Sequence, residues 1–203
     1  MTAEYVKAIT EILSDGKFHS GEQIATQLGI TRTSVWKKIQ SVKDKYDIDI
    51  HAVSGRGYRL PDGIDLLDEG IIQDRLSETS NLKISFVRVL DQLESTNQYL
   101  LDCDDINDET FAVCLAEMQT KGRGRRGRQW LSPFGKNIQL SIACHLKMPM
   151  SQVAGLSIAA GVAVADSISK LGLPQVALKW PNDIHVNEQK LAGLLVEIKG
   201  EAE

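Results

Sequence analysis

Two helical signals meet at Gly29, and that junction limits the first sixty residues to one kind of fold. Ser20 and Gln23 form a capping-box pattern that opens a helix ending near Leu28-Gly29, and Thr31 is placed to cap the next. In that next helix Val35, Ile39, Val42 and Tyr46 share one face, while Arg32, Thr33, Lys37, Lys38 and Gln40 lie on others. Upstream, Val6, Ile9 and Leu13 follow helical spacing, which predicts a first helix over residues 3–14. Two helices joined by a short glycine turn are the helix-turn-helix signature. Downstream, Ile48, Ile50 and Ala52 alternate like a strand, Ser54-Gly55-Arg56-Gly57 turns, and Tyr58 and Leu60 return, which makes a wing with an arginine near its tip. Pro61-Asp62-Gly63 closes the module, giving a DNA-binding domain over 1–62 and a linker over 63–82 with a short helix around 66–76.

Charge supports that reading locally rather than globally. The net charge is −4, so the chain is not a general polyanion binder, yet residues 31–45 carry five Lys or Arg against one Asp. With the third helix in the major groove, Lys37, Lys38 and Arg56 would hold phosphates, and Arg32, Thr33 or Ser34 would reach bases. The bland alternative is a three-helix interaction domain with a solvated basic face. The wing favours DNA.

Residues 83–203 read as an α+β ligand-binding domain. Phe86, Val87, Val89 and Leu90 suggest a strand, and a helix follows to about Leu101 with Ser95 as N-cap and Gln98 three residues on. The same hydroxyl and helix-start amides suit a polar ligand group, though capping alone accounts for them. The apolar run 111–118 leads to Gly122-Arg123-Gly124-Arg125-Arg126-Gly127-Arg128-Gln129-Trp130. Arginine forks bind phosphate or carboxylate in pairs, and glycine lets backbone approach a ligand. Composition alone also fits a basic linker or nucleic-acid patch, but a loop held between two strands suits a site better than a tail. Ile138, Leu140, Ile142, Cys144 and Leu146 alternate and predict a half-buried strand; residues 151–171 predict a long helix buried across a sheet. Val176, Leu178 and Trp180 suggest another strand, in which Lys179 needs an anionic ligand or a buried carboxylate as partner. Pro181 and Asn182-Asp183 end it, and residues 191–198 form a last strand whose Gly193 marks a close approach by a ligand or another backbone.

Other classes are disfavoured. No apolar stretch reaches the length of a membrane span, and Met1-Thr2-Ala3-Glu4 does not begin a secretory signal. Cys103, Cys114 and Cys144 lack metal spacing and read as reduced thiols of a cytoplasmic protein; His19, His51, His145 and His185 are scattered, so no metal site is expected.

Glu94-Ser95-Thr96-Asn97, the 122–130 loop, Lys179-Trp180-Pro181-Asn182-Asp183 and Lys190-Leu191-Ala192-Gly193, following a winged helix, resemble bacterial biotin protein ligases of the bifunctional kind that also repress the biotin operon. The similarity spans essentially the whole chain, and the loop combined with the KWPND stretch is its specific part. The resemblance implies a class II synthetase-like mixed sheet. It also implies formation of biotinyl-5′-AMP from biotin and ATP with Mg²⁺, then transfer to a lysine of the biotin carboxyl carrier domain of acetyl-CoA carboxylase. Clustered cations suit both steps. By motif, Ser95, Thr96, Asn97 and Gln119 would line the biotin site; Arg123, Gly124 and Arg125 would cover biotin and the adenylate. Lys179 would approach the carboxylate and phosphate, with Lys190 a weaker candidate. As catalytic residues the resemblance implies Lys179 and Arg125. It implies a homodimer on biotin operator DNA when loaded with biotinyl-5′-AMP. Family members continue beyond the equivalent of Glu203 with a further part of the catalytic domain and a small β domain, so an incomplete, slower catalytic domain is expected here. The alternatives are a ligand-sensing winged-helix regulator without ligase activity and a lipoate-type acyl ligase.

Overall fold

The computed structural model describes residues 3–79, 81–146, 153 and 155–199. Two compact units emerge, one of Met1–Gly122 with Leu131–Cys144, the other of Arg123–Trp130 with His145–Glu203. This division departs from the 1–62, 63–82 and 83–203 boundaries read from sequence.

The first unit opens with α1 (Ala3–Leu13), α2 (Gly21–Leu28) and α3 (Arg32–Tyr46). Ser20 caps α2 reciprocally: its hydroxyl accepts from Gln23 N–H at 3.1 Å, and Gln23 Oε1 accepts from Ser20 N–H at 2.8 Å. Gly29 ends the helix at φ 63°, and Thr31 caps α3 by accepting from Ser34 N–H at 3.2 Å. Val35, Ile39, Val42 and Tyr46 are buried with Ile9, Leu13 and Ile24. Each such side chain contributes about 1.5–3 kcal/mol by leaving water. The wing is β1 (His51–Val53) antiparallel to β2 (Gly57–Arg59). Its first strand starts later than the alternation suggests, because Ile48 and Ile50 are core residues ahead of it. His19 N–H donates to the Tyr58 carbonyl and Tyr58 N–H to that of His19, both at 2.8 Å. Gly57 permits this approach: its φ is 100°, and a Cβ there would lie 2.1 Å from the His19 carbonyl oxygen.

The stretch 63–82, read as a linker, contains α4 (Glu69–Thr79) and is fastened to a sheet. Ile64 and Leu66 pack against the helical core, and Leu67, Ile72 and Leu76 against Val87, Val113 and Leu115. Glu69 carboxylate oxygens accept from Val89 N–H and pair with Arg88. That sheet is mixed: β3 (Ile84–Leu90) runs parallel to β4 (Phe111–Ala116), which is antiparallel to β5 (Gln139–Cys144). α5 (Thr96–Leu101) makes the crossover from β3 to β4. On β5 the buried face is not the apolar one anticipated. Gln139 and Ser141 are buried at 5% and 7% exposure, whereas Ile138 and Ile142 are exposed. Hydrogen bonds to α5 and to Gln119 hold the polar face inward.

In the second unit α6 (Leu156–Lys170) packs on β6 (Val176–Lys179) by setting Gly161 against Leu178. Its burial is less than expected: Ile158, Val162 and Val164 remain exposed. Residues 151, 152 and 154 of the anticipated helix lie outside the described residues. β6, β7 (Asp183–Val186) and β8 (Gln189–Gly193) form an antiparallel sheet, with a cis peptide at Trp180-Pro181. The last strand ends at Gly193, short of the 191–198 expected.

Glu117 is buried in the first unit at 3% exposure, its Oε1 accepting from Leu67 N–H at 2.6 Å. Burial pushes its carboxyl above the ordinary value, which the Leu67 bond only partly offsets. The folded state thus holds this proton more tightly than the unfolded chain, so stability falls as pH rises through the ordinary carboxylate range toward the raised value. Glu117→Gln keeps the acceptor and removes the buried charge. Its melting temperature should exceed that of the unaltered chain at neutral pH and converge with it below the ordinary carboxylate value. A gain independent of pH would mean the carboxyl is not ionised in the fold.

Candidate functional site

A neutral polar cluster lies where α5 meets β4 and β5. Ser95 caps α5, accepting from Gln98 N–H at 3.4 Å, and is itself 7% exposed. One residue on, Thr96 N–H donates to Gln119 Oε1 at 2.7 Å, and Thr96 Oγ1 lies 3.0 Å from the same oxygen. Gln119 follows β4 and pairs with Leu93 in an isolated parallel bridge, which sets its backbone beside the turn before α5. Thr96 Oγ1 is 2.7 Å from Ser141 Oγ, which also donates to Asn97 Oδ1. Gln119 Nε2 donates to Gln139 Oε1 at 3.2 Å. Of the anticipated ligand residues, Ser95, Thr96, Asn97 and Gln119 are therefore together. Gln139 and Ser141 complete the group and were missed. Their signal was polar residues at i and i+2 on one face of a strand whose other face is apolar. No charged side chain takes part in the bonds that join these six, so the cluster suits an uncharged polar group.

The second unit gathers cations. Loop residues 123–130 close on themselves: Gly124 N–H donates to the Arg128 carbonyl at 2.7 Å, and a single turn of 3₁₀ helix spans Arg125–Gly127 with Arg126 at φ 60°. Arg125 Nη1 approaches Asn182 Oδ1 at 3.5 Å, and Asn182 Nδ2 donates to the Leu194 carbonyl at 2.8 Å. Arg123 pairs with Glu197 at 3.5 Å. Lys190 pairs with Asp183 at 2.8 Å, with its ammonium 5.2 Å from the centre of the Trp130 ring. Gly193 makes room for this stack, since a Cβ there would meet Trp130 Cζ3 at 3.2 Å. The close approach read from that glycine is thus an indole. Lys179, by contrast, is exposed and forms no ion pair with a described residue. Its neighbours Gln175, Ala177, His185 and Glu188 line an open hollow of about 440 Å³ with it. Lys190, not Lys179, stands with Trp130 and the loop that bears the arginines.

On the helix-turn-helix, Arg32, Thr33 and Lys37 are exposed on α3, as is Trp36 at 54%. Ser34 is held by the Thr31 cap, its hydroxyl 2.9 Å from Thr31 Oγ1, and the Lys38 ammonium sits 3.2 Å above the Tyr5 ring. Arg56 in the wing stacks on Phe18, 4.1 Å from its centre. Of the six residues anticipated there, Arg32, Thr33 and Lys37 have side chains least committed within the fold.

Residues 89–203 match the model of the biotin/lipoate A/B protein ligase family, and residues 6–59 match that of an HTH domain. The chain is 43% identical over 193 residues to the bifunctional ligase/repressor BirA of Salmonella typhimurium, covering 95% of this chain and 58% of the relative. To that of Bacillus subtilis it is 32% identical over 197 residues, covering 96% and 60%. It thus spans under two thirds of the length of these relatives. Among solved structures, a biotin protein ligase of Leishmania major in complex with biotinyl-5-AMP is similar at TM-score 0.48 and 28% identity, over 56% of this chain and 52% of that one.

Proposed function

The chain belongs to the biotin/lipoate A/B protein ligase family, and we propose that it binds biotin and ATP, joins them as biotinyl-5′-AMP, and delivers biotin to the lysine of a biotin carboxyl carrier domain. The observation that carries this reading is the buried, uncharged cluster of Thr96, Asn97, Gln119, Gln139 and Ser141, which offers donors and acceptors to a neutral ring such as the cyclic urea of biotin. The carboxylate end and the phosphates need cations instead. Arg123 and Arg125 supply forks for the phosphates, and Lys190, oriented by Asp183 and Trp130, is the ammonium best supported for the oxygens where charge develops. Lys179 remains the second candidate. Mg²⁺ would arrive with ATP and neutralise its phosphates, since the oxygens of Asp183 and Asn182 are engaged by Lys190 and Arg125.

The N-terminal helix-turn-helix gives the same chain a second role, as a repressor that binds biotin operator DNA as a homodimer when loaded with biotinyl-5′-AMP. In that role Arg32, Thr33 and Lys37 contact the groove, Arg56 the backbone at the wing, and Ser34 and Lys38 stiffen the helix. A cytoplasmic setting accords with the three free thiols, of which buried Cys114 is pushed up to about 12 and so stays protonated.

Titration calorimetry tests the ligand. The chain should bind biotin, and Gln119→Ala should weaken binding by about 1–3 kcal/mol, the range for a lost buried hydrogen bond. Equal affinities in the two proteins would remove this cluster as the biotin site.

A further inference from the structure

One donor in the polar cluster is left over, and the directions of the amides show which. A backbone N–H can only donate, so Thr96 N–H fixes Oε1 as the Gln119 atom that faces it at 2.7 Å. Gln119 must then present Nε2 to Gln139, and Gln139 must answer with Oε1, as the 3.2 Å contact has it. Turning either amide over sets two donors or two acceptors face to face. The Gln139 Nε2 group is therefore turned away from Gln119 by necessity. It is shut off from solvent on a residue only 5% exposed, and has no hydrogen-bond partner among the described residues. The strand supplies such a position only on the face that carries Ser141, two residues on. A buried amide without an acceptor is costly, and sites that hold one gain most from a ligand that supplies the missing oxygen.

We propose that Gln139 is a ligand-contacting, specificity-determining residue, whose Nε2 donates to the carbonyl oxygen of a neutral ring and so selects a cyclic urea over analogues that carry a donor there. This inference rests on the biotin reading above and adds to it which atom of Gln139 meets the ligand and which atom of the ligand it reads. The charge logic is definite. The bonds that join Thr96, Asn97, Gln119, Gln139 and Ser141 to one another involve no carboxylate or ammonium, so an uncharged acceptor completes them at least cost, whereas a cationic ring would set donor against donor.

The test is an exchange of specificity. Biotin and 2-iminobiotin differ at the ring carbonyl, where the latter carries a guanidine that is cationic at neutral and acid pH. The unaltered 203-residue chain should bind biotin much the tighter of the two. Gln139→Glu keeps an oxygen toward Gln119 and replaces the donor by a second oxygen. Calorimetry on this variant should show biotin weakened by about tenfold or more, and the preference for biotin over 2-iminobiotin should fall by at least about tenfold. That fall should disappear at alkaline pH, where the guanidine loses its charge. A residue that only braces the fold would weaken both ligands alike, and an unchanged preference overturns the proposal. Gln139→Leu, read beside its melting curve, covers the case in which the glutamate variant does not fold. It should lower biotin affinity and narrow the preference, and no change in either would also overturn the proposal. Gln119→Ala separates the two readings: if it weakens biotin while both Gln139 variants leave the preference intact, only this inference fails. If the unaltered chain binds neither ligand, both readings fail.

Discussion

Gly57→Ala is expected to break the wing and with it a large part of the stability of the DNA-binding fold. Two penalties coincide at this residue. Its φ of 100° is a conformation that side chains other than glycine rarely adopt, at a cost of about 1–3 kcal/mol. A methyl group 2.1 Å from the His19 carbonyl oxygen must also push that backbone away, which breaks the paired His19–Tyr58 hydrogen bonds at about 1 kcal/mol each. The sum is about 3–5 kcal/mol against a typical domain stability of about 5–15 kcal/mol. Urea unfolding should show a midpoint far below that of the unaltered chain, and affinity for DNA should fall with it. Gly55→Ala serves as the control, because a Cβ there meets nothing within 4 Å, although its φ of 76° is also positive. Equal losses in the two variants would mean that φ alone matters and that the His19 contact yields easily.

The second large effect concerns rate. Lys190→Ala should slow formation of biotinyl-5′-AMP by on the order of 10²–10³-fold, the scale on which enzymes lose rate when a charge-stabilising donor is removed. Lys179→Ala should leave the rate close to its original value. The geometry drives the distinction. Lys190 is aligned by Asp183 at 2.8 Å and by Trp130, whereas Lys179 has no ion pair among the described residues. Stability should hardly change, since a half-exposed ion pair is worth about 0–1 kcal/mol. Single-turnover measurement of pyrophosphate release on this chain gives the answer. A greater loss in Lys179→Ala would return the reacting role to that residue.

The helices were legible because their signals are local. The Ser20 and Thr31 caps, Gly29 and the stripe of Val35, Ile39, Val42 and Tyr46 all lie within a few residues of what they control. The biotin/lipoate ligase family was legible too, through short motifs that survive without knowledge of the sheet. What failed depended on partners distant in sequence. The alternation around Ile138 to Ile142 revealed a strand, but not which face the fold buries. That choice was made by Thr96, Asn97 and Gln119, and it hid Gln139 and Ser141 from a reading that followed the apolar residues. The same limit hid the surroundings of Lys190. An apolar strand around a lysine is visible in sequence, but an indole arriving beside Gly193 is not. That Tyr5 of α1 lies beneath Lys38 was hidden in the same way, because nothing in the helix of Lys38 reveals it.

Phe134 gives the first unit a property of a different kind. It follows the arginine loop in sequence, yet its ring packs 4.6 Å from that of Tyr46 at the end of α3, and it is 3% exposed within the helix-turn-helix core. The next residue, Gly135, lies against Ile64, and its N–H bonds the Glu117 carbonyl at the start of the turn that leads to Gln119. A segment borrowed from the ligand-binding sequence therefore finishes the core of the DNA-binding one. Folding inherits a deadline from this: the module cannot close its core until the chain has been made far past its own last residue. Evolution inherits a constraint as well. The helix-turn-helix cannot be traded as a cassette cut at residue 62 without leaving an unfilled ring-sized space on one side and a bare phenyl group on the other.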